Sequence, residues 1–359
     1  MSVITFFDLV KDTEYRNFVS NRLAQTTETP YSFPSVLPKL YQYKPLSLYA
    51  INDICFRNVT ASSIGEFNDL FDGALHRYGN EEERICAAEK KWEELETLRR
   101  ATNIPELYIK HDYYVDLYRD HYKTDSWLKF RMLEYLGTYV SCFSSKNDSV
   151  LMWSHYARSN AGICVEYDFA KLPEENLISK MIFPIAYTDS PVKVFDLLDD
   201  EQQKLYKYSL DAAVLCAALN KSNVWAYEKE WRLVCVFPFR NDPLRRVPFK
   251  TTIKPSRIYF GYHFLRPMFY YDTKNEYQNA KNNLEQLMRL IDFMEANSIG
   301  MSIMLPQVGN YDLIPQKMDV ESIKRFMYHH FDDGEPENMR FYHTIHDYLM
   351  NLIEKEEES

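Results

Sequence analysis

The chain has 359 residues, enough for one large domain with an appendage or for two domains. Its apolar content of 46% supports a substantial core, and with 28 Tyr, 22 Phe and only 9 Gly it holds neither a P-loop nor a dinucleotide glycine fingerprint, which argues against an ordinary kinase, GTPase or Rossmann dehydrogenase. A formal net charge of -10 does not suit indiscriminate attraction to nucleic acid.

The run from Met1 to Val10 is too short and too soon interrupted by acids for a signal peptide, and no stretch reaches the apolar length of a membrane span. The expectation is a cytoplasmic protein with no membrane partner. The six cysteines, at positions 55, 86, 142, 164, 216 and 235, form no C-x-x-C pair and are expected as reduced core thiols.

In chain order, the pattern predicts a short strand over Leu40 to Tyr43, a helix from Pro45 spaced by Leu46, Tyr49 and Ile54, and a second strand near Val59. Ser62 to Gly73 is dense in turn formers and reads as a loop. From Glu81 to Gly137 charges alternate with apolar residues at helical spacing, as in Ile85, Trp92, Leu95 and Leu98, which predicts a helical insertion. Strands are then expected over Tyr139 to Ser144, Gly162 to Phe169 and Met181 to Tyr187, with a short helix at Val150 to Arg158.

A helix over Gln203 to Asn220 feeds a segment read as a strand from Trp225 onward, and Arg257 to Tyr262 supplies another strand. Helices follow at Asn275 to Asn297, Val320 to His330 and Met339 to Glu354, with a short strand near Ser302 to Leu305. The organisation predicted is an N-terminal segment over 1–34, an α+β catalytic domain over 35–270 containing the insertion at 81–137, and a mainly helical extension over 271–359.

The segment Trp225 to Val236 carries the most chemistry. On a strand, side chains alternate faces, so Glu228, Glu230 and Arg232 share one. Two carboxylates and a cation at the start of a buried strand are costly to desolvate, and such clusters often belong to sites that use the charge. An edge-strand ion pair is the structural alternative. Arg240, Arg245, Arg246, Lys250, Lys254 and Arg257 form a basic patch or a solvated loop.

Four motifs in order resemble the bacterial family known as domain of unknown function 2971. They are Leu40-Tyr41-Gln42-Tyr43-Lys44, Phe67-Asn68-Asp69-Leu70-Phe71-Asp72, Ser141-Cys142-Phe143-Ser144 with Met152-Trp153-Ser154-His155-Tyr156-Ala157 and Gly162 to Asp168, and Glu228-Lys229-Glu230-Trp231-Arg232-Leu233. The resemblance covers roughly residues 38 to 262 and departs at Leu70, where the family more often has proline.

The layout of a first strand, a serine-bearing strand with a short helix, and a late Glu-x-Glu strand is also similar to mono-ADP-ribosyltransferases. That resemblance implies a split, mixed or antiparallel sheet and NAD as substrate. Breaking the nicotinamide–ribose bond passes through an oxocarbenium-like state that a carboxylate stabilises. Glu230 takes that role, and Glu228 orients or deprotonates the acceptor or holds Arg232. Tyr43 or Lys44 would contact the pyrophosphate or adenosine end, and Ser144 would anchor its strand or the nicotinamide-side ribose. The first strand lacks the arginine or histidine common in those enzymes.

The resemblance implies a protein or nucleic-acid acceptor and a toxin-like or phage-defence role with a neutralising partner. With water as acceptor the same site is an NAD glycohydrolase. His155 could be a general base or substrate contact, or a core histidine satisfying a backbone group. Two further readings stand beside these. One is a metal-dependent nuclease or phosphodiesterase assembling Asp69, Asp72, Glu228 and Glu230 around Mg²⁺. The other is an aromatic ligand-binding groove with Glu228 and Arg232 as a structural pair.

Overall fold

In a computed structural model of the chain, the structure describes residues 5–28, 30–69, 72–73, 81–101, 110–112, 115–116, 137–173, 175–189, 209–237, 246–251, 253–265, 274–321 and 323–324. Two helices lead, α1 (Phe6–Leu9) and α2 (Thr13–Ala24). The Asp12 carboxylate accepts the Glu14 and Tyr15 amides and so caps α2, whose Tyr15, Val19 and Leu23, four residues apart, face the core.

The sheet strands are β1 (Lys39–Lys44), β2 (Asn58–Ser63), β3 (Thr138–Ser144), β4 (Ile163–Asp168), β5 (Ile182–Pro184), β8 (Glu230–Val236), β9 (Arg246–Lys250), β10 (Arg257–Phe260), β11 (Gly300–Pro306) and β12 (Leu313–Lys317). They run in the order β12-β11-β10-β4-β1-β3-β2-β9, with β8 between β3 and β5. All pairs are antiparallel except β10 with β11, so the protein is α+β with a mixed sheet. A separate two-stranded parallel pair joins β6 (Ala186–Thr188) to β7 (Asn220–Ser222).

Three pairings in the sheet's interior differ sharply in extent. β1 pairs with β4 from Lys39↔Asp168 to Lys44↔Ile163, and β3 pairs with β8 along its full length, yet β1 meets β3 only at Tyr41↔Ser144. The sheet therefore opens along a seam between these strands. On one face Gln42 Nε2 donates to Ser141 Oγ across the seam at 2.9 Å.

The outer strands β5, β9 and β12 carry Pro184, Pro248 and Pro315, which remove ladder donors where another chain could otherwise add a strand. The remaining helices are α3 (Leu48–Cys55), α4 (Glu81–Ala101), α5 (Val150–His155), α6 (Leu177–Met181), α7 (Ser209–Leu219) and α8 (Lys274–Ala296); α3 packs on β2 and α8 on α3, while α6 and α7 pack on β8. Ala212 and Val214 to Leu219 of α7 are apolar and buried, which makes α7 a core helix.

Tight backbone approaches fix the turn after α5. Arg158, Ser159 and Asn160 all have positive φ, and a Cβ on Gly162 would come within 2.4 Å of the Lys44 carbonyl oxygen. Gly261 sits equally close to the Asn160 carbonyl, so the α5–β4 turn docks on β1 and β10 through bare backbone.

Most expected elements lie within a few residues of their predicted bounds. The strand expected over Met181 to Tyr187 is instead two short strands in different sheets, with α6 ending at Met181. β7, β9 and β12 and the leading helices were not foreseen. Within 271–359, β11 and β12 extend the main sheet. Most of the insertion beyond Ala101, the helix at 339–354, and Arg240 and Arg245 of the basic patch lie outside the described residues.

Candidate active site

At the seam lies a cavity of about 310 Å³. Tyr41 and Tyr43 of β1, Cys142, Phe143 and Ser144 of β3, Met152 and Tyr156 of the α5 segment, and Glu66, Phe67, Asn68 and Asp72 of the loop after β2 line it. Lys221, Glu228 and Glu230 complete the lining.

The expected alternation from Glu228 through Arg232 does not describe how these side chains meet. Asn223–Glu228 is a 3₁₀ helix, β8 starts at Glu230, and Lys229 between them is left-handed at φ 47°, ψ 48°. A non-glycine residue there costs on the order of 1–2 kcal/mol. The reversal at Lys229, rather than strand parity, turns Glu228 back toward Glu230. Ser144 holds that turn: its Oγ donates to the Glu228 carbonyl at 2.6 Å, and the Ser145 amide donates to the Lys229 carbonyl.

Lys221 ties the carboxylates together. Its Nζ donates to Glu228 Oε2 at 2.6 Å and Glu230 Oε2 at 2.8 Å, lies 3.6 Å from Asp72 Oδ2, and sits over the Trp225 ring. The parallel β6–β7 pair positions it, since Tyr187 and Lys221 are in register and the Tyr187 hydroxyl accepts the Glu230 amide at 2.8 Å. Arg232, fully buried, grips Asp72 through Nη1 at 2.6 Å and Nη2 at 2.5 Å, and donates from Nε to Glu230 Oε1 at 2.7 Å and from Nη1 to the Ala218 carbonyl.

Three carboxylates thus face two cations in a buried cluster, leaving one net negative charge when all are ionised. The two glutamates lean in opposite directions. Burial raises the Glu228 pKa, with the Glu230 charge adding to the effect and Lys221 opposing it. Burial acts the same way on Glu230, but Arg232 and Lys221 together outweigh it and hold that carboxyl down at about 2. Tyr156 donates its hydroxyl to Glu228 Oε1 at 2.6 Å, and burial, followed by this bond, keeps the phenol protonated by raising its pKa.

The other residues singled out from sequence fall in different places. Tyr43 lines the cavity, stands edge-on to Trp153 and donates its hydroxyl to the Lys146 carbonyl. Lys44, the next residue on β1, pairs with Asp53 at 2.9 Å and is not part of the lining. His155 is exposed beyond the lining, with Nδ1 3.3 Å from the Tyr227 hydroxyl. Trp153 is buried and donates Nε1–H to the Asn147 carbonyl, so the Trp-Ser-His-Tyr block contributes chiefly Tyr156 to the site.

The proposed Mg²⁺ set is not assembled as a metal centre: Lys221 and Arg232 stand among Asp72, Glu228 and Glu230, and among the described residues no group of three or more His, Cys, Asp or Glu side chains is placed to hold a metal ion. The Asp72 amide donates to the Asp69 carbonyl in a turn. Lys221, Tyr187 and the roles of Asp72 and Tyr156 were missed from sequence. A polar Asn-Lys-Ser step directly after an apolar helix was the available signal for Lys221.

An α+β fold with a mixed sheet and a buried ionic cluster in an aromatic cavity defines the class of site. Residues 152–233 match the family described as "Protein of unknown function (DUF2971)", a span that includes Tyr156, Lys221, Glu228, Glu230 and Arg232. No curated protein matches the chain, and no solved structure matches it. No helix among the described residues is long and apolar enough to cross a membrane.

Proposed function

We propose that this cavity is the active site of a mono-ADP-ribosyltransferase that takes NAD as donor and a macromolecule as acceptor. The observation that carries the reading is the pair of glutamates sharing Lys221, one held ionised and the other with a raised pKa, inside an aromatic cavity where the sheet opens. Environments that push two carboxylates apart are how a site assigns separate roles to them.

In this reading the bond between ribose C1′ and the nicotinamide nitrogen breaks, and the electron pair leaves with neutral nicotinamide. The permanently ionised Glu230 stabilises the oxocarbenium-like charge, and its clamp by Arg232 and Lys221 keeps it in place. Glu228, the stronger base of the two, accepts the proton of the attacking nucleophile through Oε1, where Tyr156 shares the oxygen. The walls formed by Tyr41, Tyr43, Phe67 and Tyr156 suit a flat, cationic nicotinamide ring, and the volume suits the nicotinamide–ribose half of the donor. A toxin-like or defence role with a neutralising partner belongs to the same proposal.

The test is nicotinamide release from NAD by purified protein, with and without cell lysate, for wild type, Glu228→Gln and Glu230→Gln. Release that needs both glutamates and rises with lysate supports transfer; lysate-independent release makes the protein an NAD glycohydrolase. Absence of release together with absence of NAD binding by calorimetry overturns the NAD reading. Binding without turnover returns the site to a non-catalytic ligand cavity, and chelator-sensitive phosphodiester cleavage would establish the metal-dependent alternative instead.

A further inference from the structure

A second concavity, of about 660 Å³, shares no lining residue with the first. It lies between α2, the extended segment 31–37 and the α6 end of the β4–β5 connection. The α2 wall is made by Thr13, Arg16, Asn17, Ser20 and Asn21, spaced as one helical face. A polar face turned into a walled groove, with the apolar Tyr15, Val19 and Leu23 already committed to the core, differs from one left to open solvent.

The groove's charge is one-sided. Lys11, Arg16 and Lys180 line it, and among the described residues no aspartate or glutamate does. Of the nearby carboxylates, Asp12 caps α2, Asp168 pairs with Lys171 at 3.2 Å, and Asp8, bonded to Thr5, lies within the influence of Lys11. In a chain of net charge -10, a described lining that holds three cations and no carboxylate runs against the composition.

Arg16 is the centre of it. Its guanidinium is held 5.2 Å from the ring centroids of both Phe33 and Phe183. Nη1 donates to the Lys180 carbonyl at 2.6 Å and reaches the Val10 carbonyl at 3.5 Å, while Nε and Nη2 have no hydrogen-bond partner among the described residues. Burial lowers its pKa, as expected for a cation without a carboxylate to balance it. A planar guanidinium with a fixed orientation and spare donors is suited to bidentate oxyanion recognition. The opposite wall is held too, because the Phe33 amide donates to Ser20 Oγ and the Tyr31 hydroxyl donates to the Pro184 carbonyl.

We propose that this groove is a binding site for a phosphate-bearing small molecule, with Arg16 as the oriented donor and Lys11 and Lys180 as flanking charges. The hydroxyl and amide groups of Thr13, Asn17 and Asn21 complete its polar wall. The site is separate from the proposed catalytic cavity, so either assignment stands without the other.

Isothermal titration of the full chain with inorganic pyrophosphate, and separately with ADP, tests it at low and at physiological salt. The expected result is saturable one-to-one binding of at least one probe, weakened at least ten-fold by Arg16→Met and several-fold by the exposed Lys11→Met, and weakened by salt. Thermal melting monitors whether each variant folds; if Arg16→Met does not, Lys11→Met and Lys180→Met decide the matter. No saturable binding by either probe, or binding indifferent to all three cations, overturns the proposal.

Discussion

Arg232 and Asp72, 160 positions apart in sequence, form a two-pronged ion pair that is almost wholly closed to solvent. It fastens the loop after β2 to β8 and thereby closes one wall of the cavity. Arg232→Met leaves three buried carboxylates facing Lys221 alone, an uncompensated charge that costs about 3–5 kcal/mol. Asp72→Ala leaves Arg232 paired with Glu230 and two cations facing two carboxylates, so it should cost less than Arg232→Met, and the double variant should cost less than the sum of the two. Urea denaturation of the three proteins measures this, and strictly additive losses would show the pair to be uncoupled.

Glu230 makes stability depend on acid in a defined window. Its folded pKa of about 2 lies below the ordinary 4.5, so its contribution is present above pH 4.5 and lost as pH falls toward 2. By linkage the contribution is about 3 kcal/mol. Denaturant titrations of wild type and Glu230→Gln between pH 6 and 2.5 should converge as the pH drops; parallel curves would contradict the assignment.

Glu228 works with the opposite sign. Its raised folded pKa means that its protonated form is favoured by folding, so its linked stability is present at low pH and diminishes as pH rises through the folded value. If it accepts a proton in the reaction, nicotinamide release should rise with pH through that same titration, and Glu228→Gln should abolish this limb. A pH–rate profile unchanged by the substitution would remove Glu228 from the role of base.

Tyr156→Phe deletes one donor to Glu228 while preserving the ring. The loss leaves Oε1 short of a partner, and the expected cost is about 1–3 kcal/mol. Because the hydroxyl favours the ionised carboxylate, the acidic limb of the rate profile should move to higher pH. Unaltered stability and an unmoved limb together would mean that the bond contributes nothing.

Gly162→Ala probes the packing that seats α5 and Tyr156. The added Cβ would meet the Lys44 carbonyl oxygen at 2.4 Å and the Ala157 backbone at 2.9 Å, atoms that cannot swing aside as a flexible side chain can, so the expected destabilisation is about 1–3 kcal/mol. Thermal melting checks it, and a neutral result would show that the turn can shift.

Local pattern and composition made much of this protein legible. Alternation and apolar runs located β1, β3, β4, β8 and β10, helical spacing located α3, α4 and α8, and the desolvation cost of Glu228, Glu230 and Arg232 pointed to the buried ionic cluster. The short strands β7, β9 and β12 escaped because each is only 3–5 residues long; β7 and β9 also pair with strands distant in sequence, and β12, which pairs with the neighbouring β11, is interrupted by Pro315.

Only the tertiary structure decided which charges meet. The left-handed Lys229 puts Glu228 beside Glu230 by a backbone reversal that no alternation rule contains. Lys221 enters through the parallel β6–β7 pair, and Asp72 arrives from a loop before the helical insertion. Periodicity reports which side of its own element a residue occupies, whereas an ionic cluster depends on how separate elements are registered against one another. That registration is set by long-range pairing and packing, and here it turned two glutamates and an arginine into a five-membered buried network at the opening of a sheet.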